Sequence, residues 1–285
     1  MKNLAITVLA SLSVLFYSCS EDNGTANNQE MGALKIQLTD APFPFDEVAE
    51  ANVTVFKVDA RAKADDEGID DDAFVVLMED EIPLNLLDLT NGITETLVDV
   101  EVPVGSYDLV RVYVKGVNVV LKDGTTYDLK VPSGEQTGIK VFIEPNIVVN
   151  GGLSTDLLLD FDVSKSFVAK GPITNIQGFN FKPVIKASNL STAGTLMGKV
   201  TEIMNETAVG VEGAQVAVYA ADTLHTTTFT DVDGSYMILG LLAGDYAVEV
   251  AKDGYETSEM VGVSITSANS TTQNFEIMSV PSVEE

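Results

Sequence analysis

The 285-residue sequence predicts an all-β chain built as two β-sandwich domains in series. Three observations carry that reading. Apolar segments rich in Val, Ile, Leu and Tyr recur at 33–38, 53–58, 107–114, 117–121 and 127–131, each short and bounded by turn residues. Only one stretch, 84–89 behind Pro83, suggests a helical turn. A small polar run, Ser188 to Gly194, then interrupts the strand pattern and marks a boundary. Composition sets the limits. With 45% apolar residues, the excess of 43 acidic over 16 basic side chains does not imply disorder. A formal charge of -27 argues against nucleic acid as a partner, because nothing is available to neutralise phosphates. One Cys and one His exclude internal disulfides and a Cys/His zinc site, and no cofactor is expected.

Residues 1–18 begin with Lys2 and an apolar run over 4–17, shorter than the about 20 residues a membrane-spanning helix needs. They are expected to be a signal peptide. The junction Leu15-Phe16-Tyr17-Ser18-Cys19, followed by a polar, Asn-rich segment, resembles a bacterial lipobox. That resemblance implies lipid attachment at Cys19, insertion of its acyl chains into a bilayer, and a flexible tether over 19–31. The alternative is an ordinary signal peptide that contains a cysteine. Ser20-Glu21-Asp22 resembles the acidic export signal of some Gram-negative surface lipoproteins. It implies a location on the outer membrane facing the cell exterior, with the periplasmic face as the alternative.

Further along, Lys122-Asp123-Gly124-Thr125 has the Asp-Gly pair of a tight hairpin. Val104-Gly105-Ser106-Tyr107-Asp108-Leu109 parallels Ala243-Gly244-Asp245-Tyr246-Ala247-Val248. In each, Gly permits the turn and Tyr opens a strand. Each Tyr is expected to bury its ring and bond the backbone through its hydroxyl, as tyrosine corners do in Ig-like sandwiches. Parity places Tyr246, Val248 and Val250 on one inward face, and Val216 and Val218 on another.

Residues 32–188 resemble the family known as domain of unknown function 4382, common in bacterial lipoproteins. The pieces that carry the likeness are Leu38-Thr39-Asp40-Ala41-Pro42, Leu86-Leu87-Asp88-Leu89, Pro103-Val104-Gly105-Ser106-Tyr107, Leu159-Asp160-Phe161-Asp162 and Phe181-Lys182-Pro183-Val184-Ile185. No activity comes with that resemblance. After a linker at 189–194, residues 195–278 resemble carboxypeptidase regulatory-like modules, which are prealbumin-like sandwiches. Here the carriers are Gly198-Lys199-Val200, Val211-Glu212-Gly213-Ala214, Thr230-Asp231-Val232-Asp233-Gly234 and Lys252-Asp253-Gly254-Tyr255. The resemblance implies an accessory role. Residues 279–285 form a tail.

Candidate chemistry is sparse. His225 stands in a Thr-rich strand with no Gly-x-Ser-x-Gly nucleophile elbow in the sequence, so a surface role is expected. Asp65, Asp66, Glu67, Asp70, Asp71 and Asp72 crowd one loop, but their spacing matches no EF-hand, and a solvated loop is the simpler expectation. Asp231 to Gly234 reads as a hairpin turn rather than a metal loop. Lys199 and Asn274 resemble the partners of an isopeptide bond, yet parity turns both outward. Asp222-Thr223-Leu224 resembles a bacterial O-glycosylation acceptor, a triplet that arises easily by chance, so Thr223 is kept only as a candidate. No catalytic residue and no metal ligand is assigned. The function expected is a non-catalytic envelope lipoprotein acting as a binding or scaffold module on envelope proteins. Glycan capture by the second sandwich is the alternative, and a hydrolase with an unrecognised carboxylate pair the third reading.

Overall fold

The computed structural model describes residues 30–41, 47–63, 74–131, 136–172 and 175–280. Cys19, the expected tether up to residue 29 and the acidic loop at 65–72 lie outside the described residues, and Met31, expected to end the tether, already opens the first strand. The first part of the chain forms strands β1 (Met31–Ala41), β2 (Val48–Lys63), β3 (Phe74–Met78), β4 (Ile82–Asn85), β5 (Glu95–Pro103) and β6 (Gly105–Leu121). These are followed by β7 (Thr126–Asp128), β8 (Ile139–Val149), β9 (Ser154–Asp162), the one-turn helix α1 (Val163–Ser166), β10 (Phe167–Ala169), β11 (Phe179–Phe181) and β12 (Ile185–Asn189). Beside a separate antiparallel pair, β10-β11, they make two facing sheets. One has the order β12-β9-β1-β5, with β1 and β9 parallel. The other has the order β3-β2-β6-β7, with β4 added to β2 and β8 to β6.

Alternation explains the sandwich. Leu34, Ile36 and Leu38 of β1 turn inward against Val110, Val112 and Val114 of β6. Each such side chain contributes about 1.5–3 kcal/mol on burial. The sequence suggests two strands at 107–114 and 117–121, but β6 is continuous. Gly116, at φ 60°, supplies a bulge where three steps of β6 oppose two of β2. Inward parity therefore passes from Val114 to Val117 and Val119 without breaking the strand. The expected helical piece at 84–89 is also divided. Ile82 to Asn85 pairs with β2, and only Leu86 to Leu89 curls into a 3₁₀ turn. Asn85 begins that turn, its Oδ1 accepting from the Leu87 amide at 3.3 Å. The strand expected to reach Val131 stops at Asp128, although the Leu129 amide still donates to Val117 O at 2.8 Å.

The second part forms β13 (Gly194–Met204), β14 (Thr207–Gly210), β15 (Gln215–Ala220), β16 (Thr223–Phe229) and β17 (Ser235–Leu241). It ends with β18 (Gly244–Ala251), β19 (Val261–Ile265), β20 (Ser270–Thr272) and β21 (Phe275–Glu276). The sheet β14-β13-β17, extended by β20 and β21 along β13, faces the sheet β16-β15-β18-β19. Between them lies a second apolar core that includes Leu196, Val200, Val216, Val218, Tyr236, Val248 and Val250. The inward parity expected for Val216, Val218, Val248 and Val250 is met.

Both tyrosine corners form. Tyr107 is fully buried and donates to Pro103 O at 2.8 Å, and Tyr246 donates to Leu242 O at 3.0 Å. Each partner lies four residues upstream. The turn at Asp231 to Gly234 is the expected one: Gly234 sits at φ 75°, and Asp231 Oδ1 accepts from the Asp233 and Ser235 amides. Among the described residues, no helix is long and apolar enough to cross a membrane.

Candidate functional site at the domain junction

A carboxyl and an imidazole shifted by burial, Asp160 and His225, lie where the two sandwiches meet. On β9, Leu157, Leu159 and Phe161 point into the first core, so Leu158, Asp160 and Asp162 point out. Thr39 of β1 and Lys186 of β12 flank Asp160 in register on the same face. The second sandwich covers this face with β16 and β17. Thr226, Thr227, Thr228, Met237, Ile238 and Leu239 complete a cavity of about 20 Å³ lined by Thr39, Asp40, Asn91 and Asp160 from the first. That volume holds about one water molecule.

Side-chain amides and close approaches fix the junction. Asn91 Oδ1 accepts from the Met237 amide at 2.6 Å, and its Nδ2 donates to Ser235 O at 3.3 Å. Lys186 Nζ donates to His225 O at 2.9 Å. A Cβ on Gly92 would lie 2.7 Å from Met237 Sδ, and one on Gly240 would lie 3.0 Å from Leu158 Cδ2. Both glycines let the sandwiches approach closely.

Electrostatics follow from the covering. Burial pushes the Asp160 carboxyl up to about 6; the Lys186 and Lys165 charges pull it down, and the Asp162 charge adds to the rise. Burial, and then the Lys186 and Lys165 charges, push the His225 imidazole below its usual value. The two carboxylates beside Asp160 each accept from a backbone amide. Asp40 Oδ1 accepts from the Val163 amide at 3.1 Å. Asp162 caps α1, accepting from Ser164 Oγ at 2.6 Å, the Lys165 amide at 3.1 Å and Lys165 Nζ at 2.6 Å. These bonds hold its carboxyl below the ordinary range even though burial opposes them. Thr228 Oγ1 is buried without a hydrogen-bond partner among the described residues.

As chemistry, the arrangement offers one carboxyl pushed up to about 6, no activated nucleophile beside it among the described residues, and space for a water but not for a substrate. Among the described residues, no three His, Cys, Asp or Glu side chains are grouped to hold a metal ion. A buried acid away from the junction, Asp59, accepts from Arg111 Nε and Nη2 at 2.7 Å and from the Tyr113 hydroxyl at 3.0 Å, a structural arrangement.

The residues singled out in the sequence are scattered. His225 is half-buried at the junction rather than on the surface, with its ring 5.7 Å from Tyr246, because the first sandwich covers β16. Thr223 is exposed beside the hairpin turn Ala221-Asp222, where both residues have positive φ. Asn274 is exposed and spends its Oδ1 on the Lys199 amide at 2.9 Å. Sequence reasoning missed Asn91, Asp160 and Lys186. The one signal that could have found them is the unbroken run Leu157-Leu158-Leu159, which demands burial on both faces of β9.

Comparison with curated proteins returns no match. Among solved structures, the minor pilin GBS52 of Streptococcus agalactiae matches at 12% identity and TM-score 0.29, over 88% of this chain and 98% of that one. The shaft pilin SpaA of Lactobacillus rhamnosus GG matches at 8% identity and TM-score 0.31, over 88% and 100%. The TIE protein of Bacillus anthracis matches at 14% identity and TM-score 0.28, over 88% and 34%. Likeness this loose has no bearing on function. Family models are more informative. A carboxypeptidase regulatory-like domain is matched over residues 195–278. The first sandwich is matched over residues 31–183, more than half of the chain, and the protein thereby belongs to the family described as domain of unknown function (DUF4382).

Proposed function

We propose that this chain is a non-catalytic lipoprotein of the bacterial cell envelope, anchored through Cys19 and displaying its two sandwiches outward as a binding or accessory module. One observation carries the non-catalytic part. Asp160, the one strongly perturbed carboxyl among the described residues, faces a water-sized cavity, and its neighbours Asp40 and Asp162 accept from backbone amides. Neither matched family is described by an enzymatic activity. The anchor rests on the lipobox-like sequence ending at Cys19, and outward display on Ser20-Glu21-Asp22. The test is fractionation of cells that express the wild type or Cys19→Ser, combined with protease treatment of intact cells. Wild type is expected in the outer-membrane fraction and is expected to be digested, while the variant leaves the membrane. A Cys19→Ser chain that remains in the membrane refutes the anchor, and survival of the wild type under protease refutes surface display.

A further inference from the structure

A second cleft, away from the junction, has a chemistry of its own. It opens between the end of β7 and the β10–β11 hairpin, has a volume of about 600 Å³, and is lined by Asp128, Lys130, Lys170, Asn180 and Lys182 above the Phe179–Phe181 strand. That volume lies within the range of small-ligand sites. Strand parity explains the lining. Phe167, Phe179 and Phe181 face the core, so Asn180 and its neighbour Lys182 face outward. The walls are fixed before any ligand arrives. Tyr127 donates to Ile176 O at 2.9 Å and sets its ring edge-on to Phe179 at 5.8 Å, tying the hairpin to β7. Phe161, Phe167 and Phe181 stack beneath it at 5.1–6.4 Å.

The charge is out of character with the chain. Acids outnumber bases 43 to 16, yet three lysines converge here. The ion pairs among the described residues use Lys57, Arg61, Arg111, Lys115 and Lys165, and none uses Lys130, Lys170 or Lys182. The acidic remainder repels polyanions at long range. At physiological salt, however, the Debye length is about 8 Å, so distant acids are largely screened and the cleft's own lining, three lysines and Asp128, weighs most.

We propose that this cleft binds a carboxylate-bearing polysaccharide, a uronic acid polymer. The inference deepens the reading of the chain as a binding module and rests on it. Two details select the ligand. Hairpin amides that could cradle a compact phosphate are already bonded: Lys170 N donates to Gly178 O, Gln177 N to Lys170 O and Lys182 N to Ser166 O. Three separate ammonium groups instead suit carboxylates spaced along a chain. Asp128, in the same cleft, can accept hydrogen bonds from sugar hydroxyls, and the Asn180 amide can both donate and accept.

The test uses the full chain in a non-ionic detergent against immobilised polygalacturonate, with fully methyl-esterified polymer, poly-L-glutamate and inorganic phosphate as comparisons. Binding to polygalacturonate is expected to exceed binding to the esterified polymer and to polyglutamate by about tenfold or more, and to be unmoved by millimolar phosphate. Lys130→Gln/Lys170→Gln/Lys182→Gln together are expected to weaken it by about tenfold. The exposed control set Lys63→Gln/Lys122→Gln/Lys199→Gln removes the same charge and is expected to leave it unchanged. No binding, equal binding to the esterified polymer or to polyglutamate, competition by phosphate, or an equal loss in the control set overturns the proposal. The polymer's length is measured in the same samples. Shortening of the polymer refutes the non-catalytic reading and leaves the cleft assignment standing.

Discussion

Replacing Asp160 with Asn tests the electrostatics of the junction directly. The carboxyl is raised from 3.8 to about 6, a difference of about two pH units at 1.36 kcal/mol each, or roughly 3 kcal/mol. Its sign is fixed by linkage. A carboxyl with a folded-state value above its unfolded one resists ionisation in the fold. The penalty is therefore absent below about pH 3.8, grows between 3.8 and 6, and is complete above 6. Asn has the same shape and no charge, so Asp160→Asn is expected to stabilise the chain by about 1–3 kcal/mol at pH 8 and by almost nothing at pH 4. The lower end allows for the solvent that still reaches this partly buried side chain. Urea unfolding followed by tyrosine fluorescence reads this as a midpoint shift of about 1 M at pH 8, given slopes of about 1–3 kcal/mol per molar. Destabilisation at pH 8, or an equal gain at pH 4 and pH 8, would refute the reasoning. Destabilisation would mean that Asp160 is held mainly by specific bonds to its charged form, and an equal gain would mean that ionisation is not what the substitution relieves.

Other consequences can be measured on the same material. His225→Gln is expected to remove a loss of stability that the wild type shows as pH falls below 6.5, because burial disfavours the charged ring; the comparison is the urea midpoint at pH 5 and pH 8 in the Asp160→Asn background. Asn91→Gly keeps the positive φ of 57° while removing the amide, and is expected to cost about 1–3 kcal/mol and to speed hydrogen exchange at Met237. Slow exchange at Met237 in that variant would exclude the amide as its protector. Tyr107→Phe is expected to cost about 1 kcal/mol and Tyr246→Phe less, since the Tyr246 bond is exposed; reversal of that order in thermal melts would contradict the burial argument.

Where a single strand or turn carried its own signal, the sequence was legible. The Gly-x-Tyr phrases led to the corners at Tyr107 and Tyr246, and Asp231 to Gly234 led to its hairpin, because each depends on residues within five positions. The continuity of β6 was hidden. Two valine runs of opposite parity look like two strands until β2 is known to pair across Gly116. The junction was hidden for a stronger reason. Asn91 meets residues 144 and 146 positions away, and a polar side chain in a loop carries no mark of the backbone it will bond. The lysine cleft was equally obscure, since Lys130, Lys170 and Lys182 belong to three separate segments that only the hairpin's attachment to Tyr127 brings together.

The amide of Asn91 does something a packing contact would not. The outer edge of β17 offers the Met237 N–H and the Ser235 carbonyl, the pair a further strand would seek. By occupying both, one side chain takes the place of a neighbouring strand and ends the sheet. Copies of this chain crowded side by side would otherwise find in β17 a template for joining sheets across molecules. The first sandwich thus covers this edge of the second, and opening the junction would uncover the Met237 N–H together with Asp160.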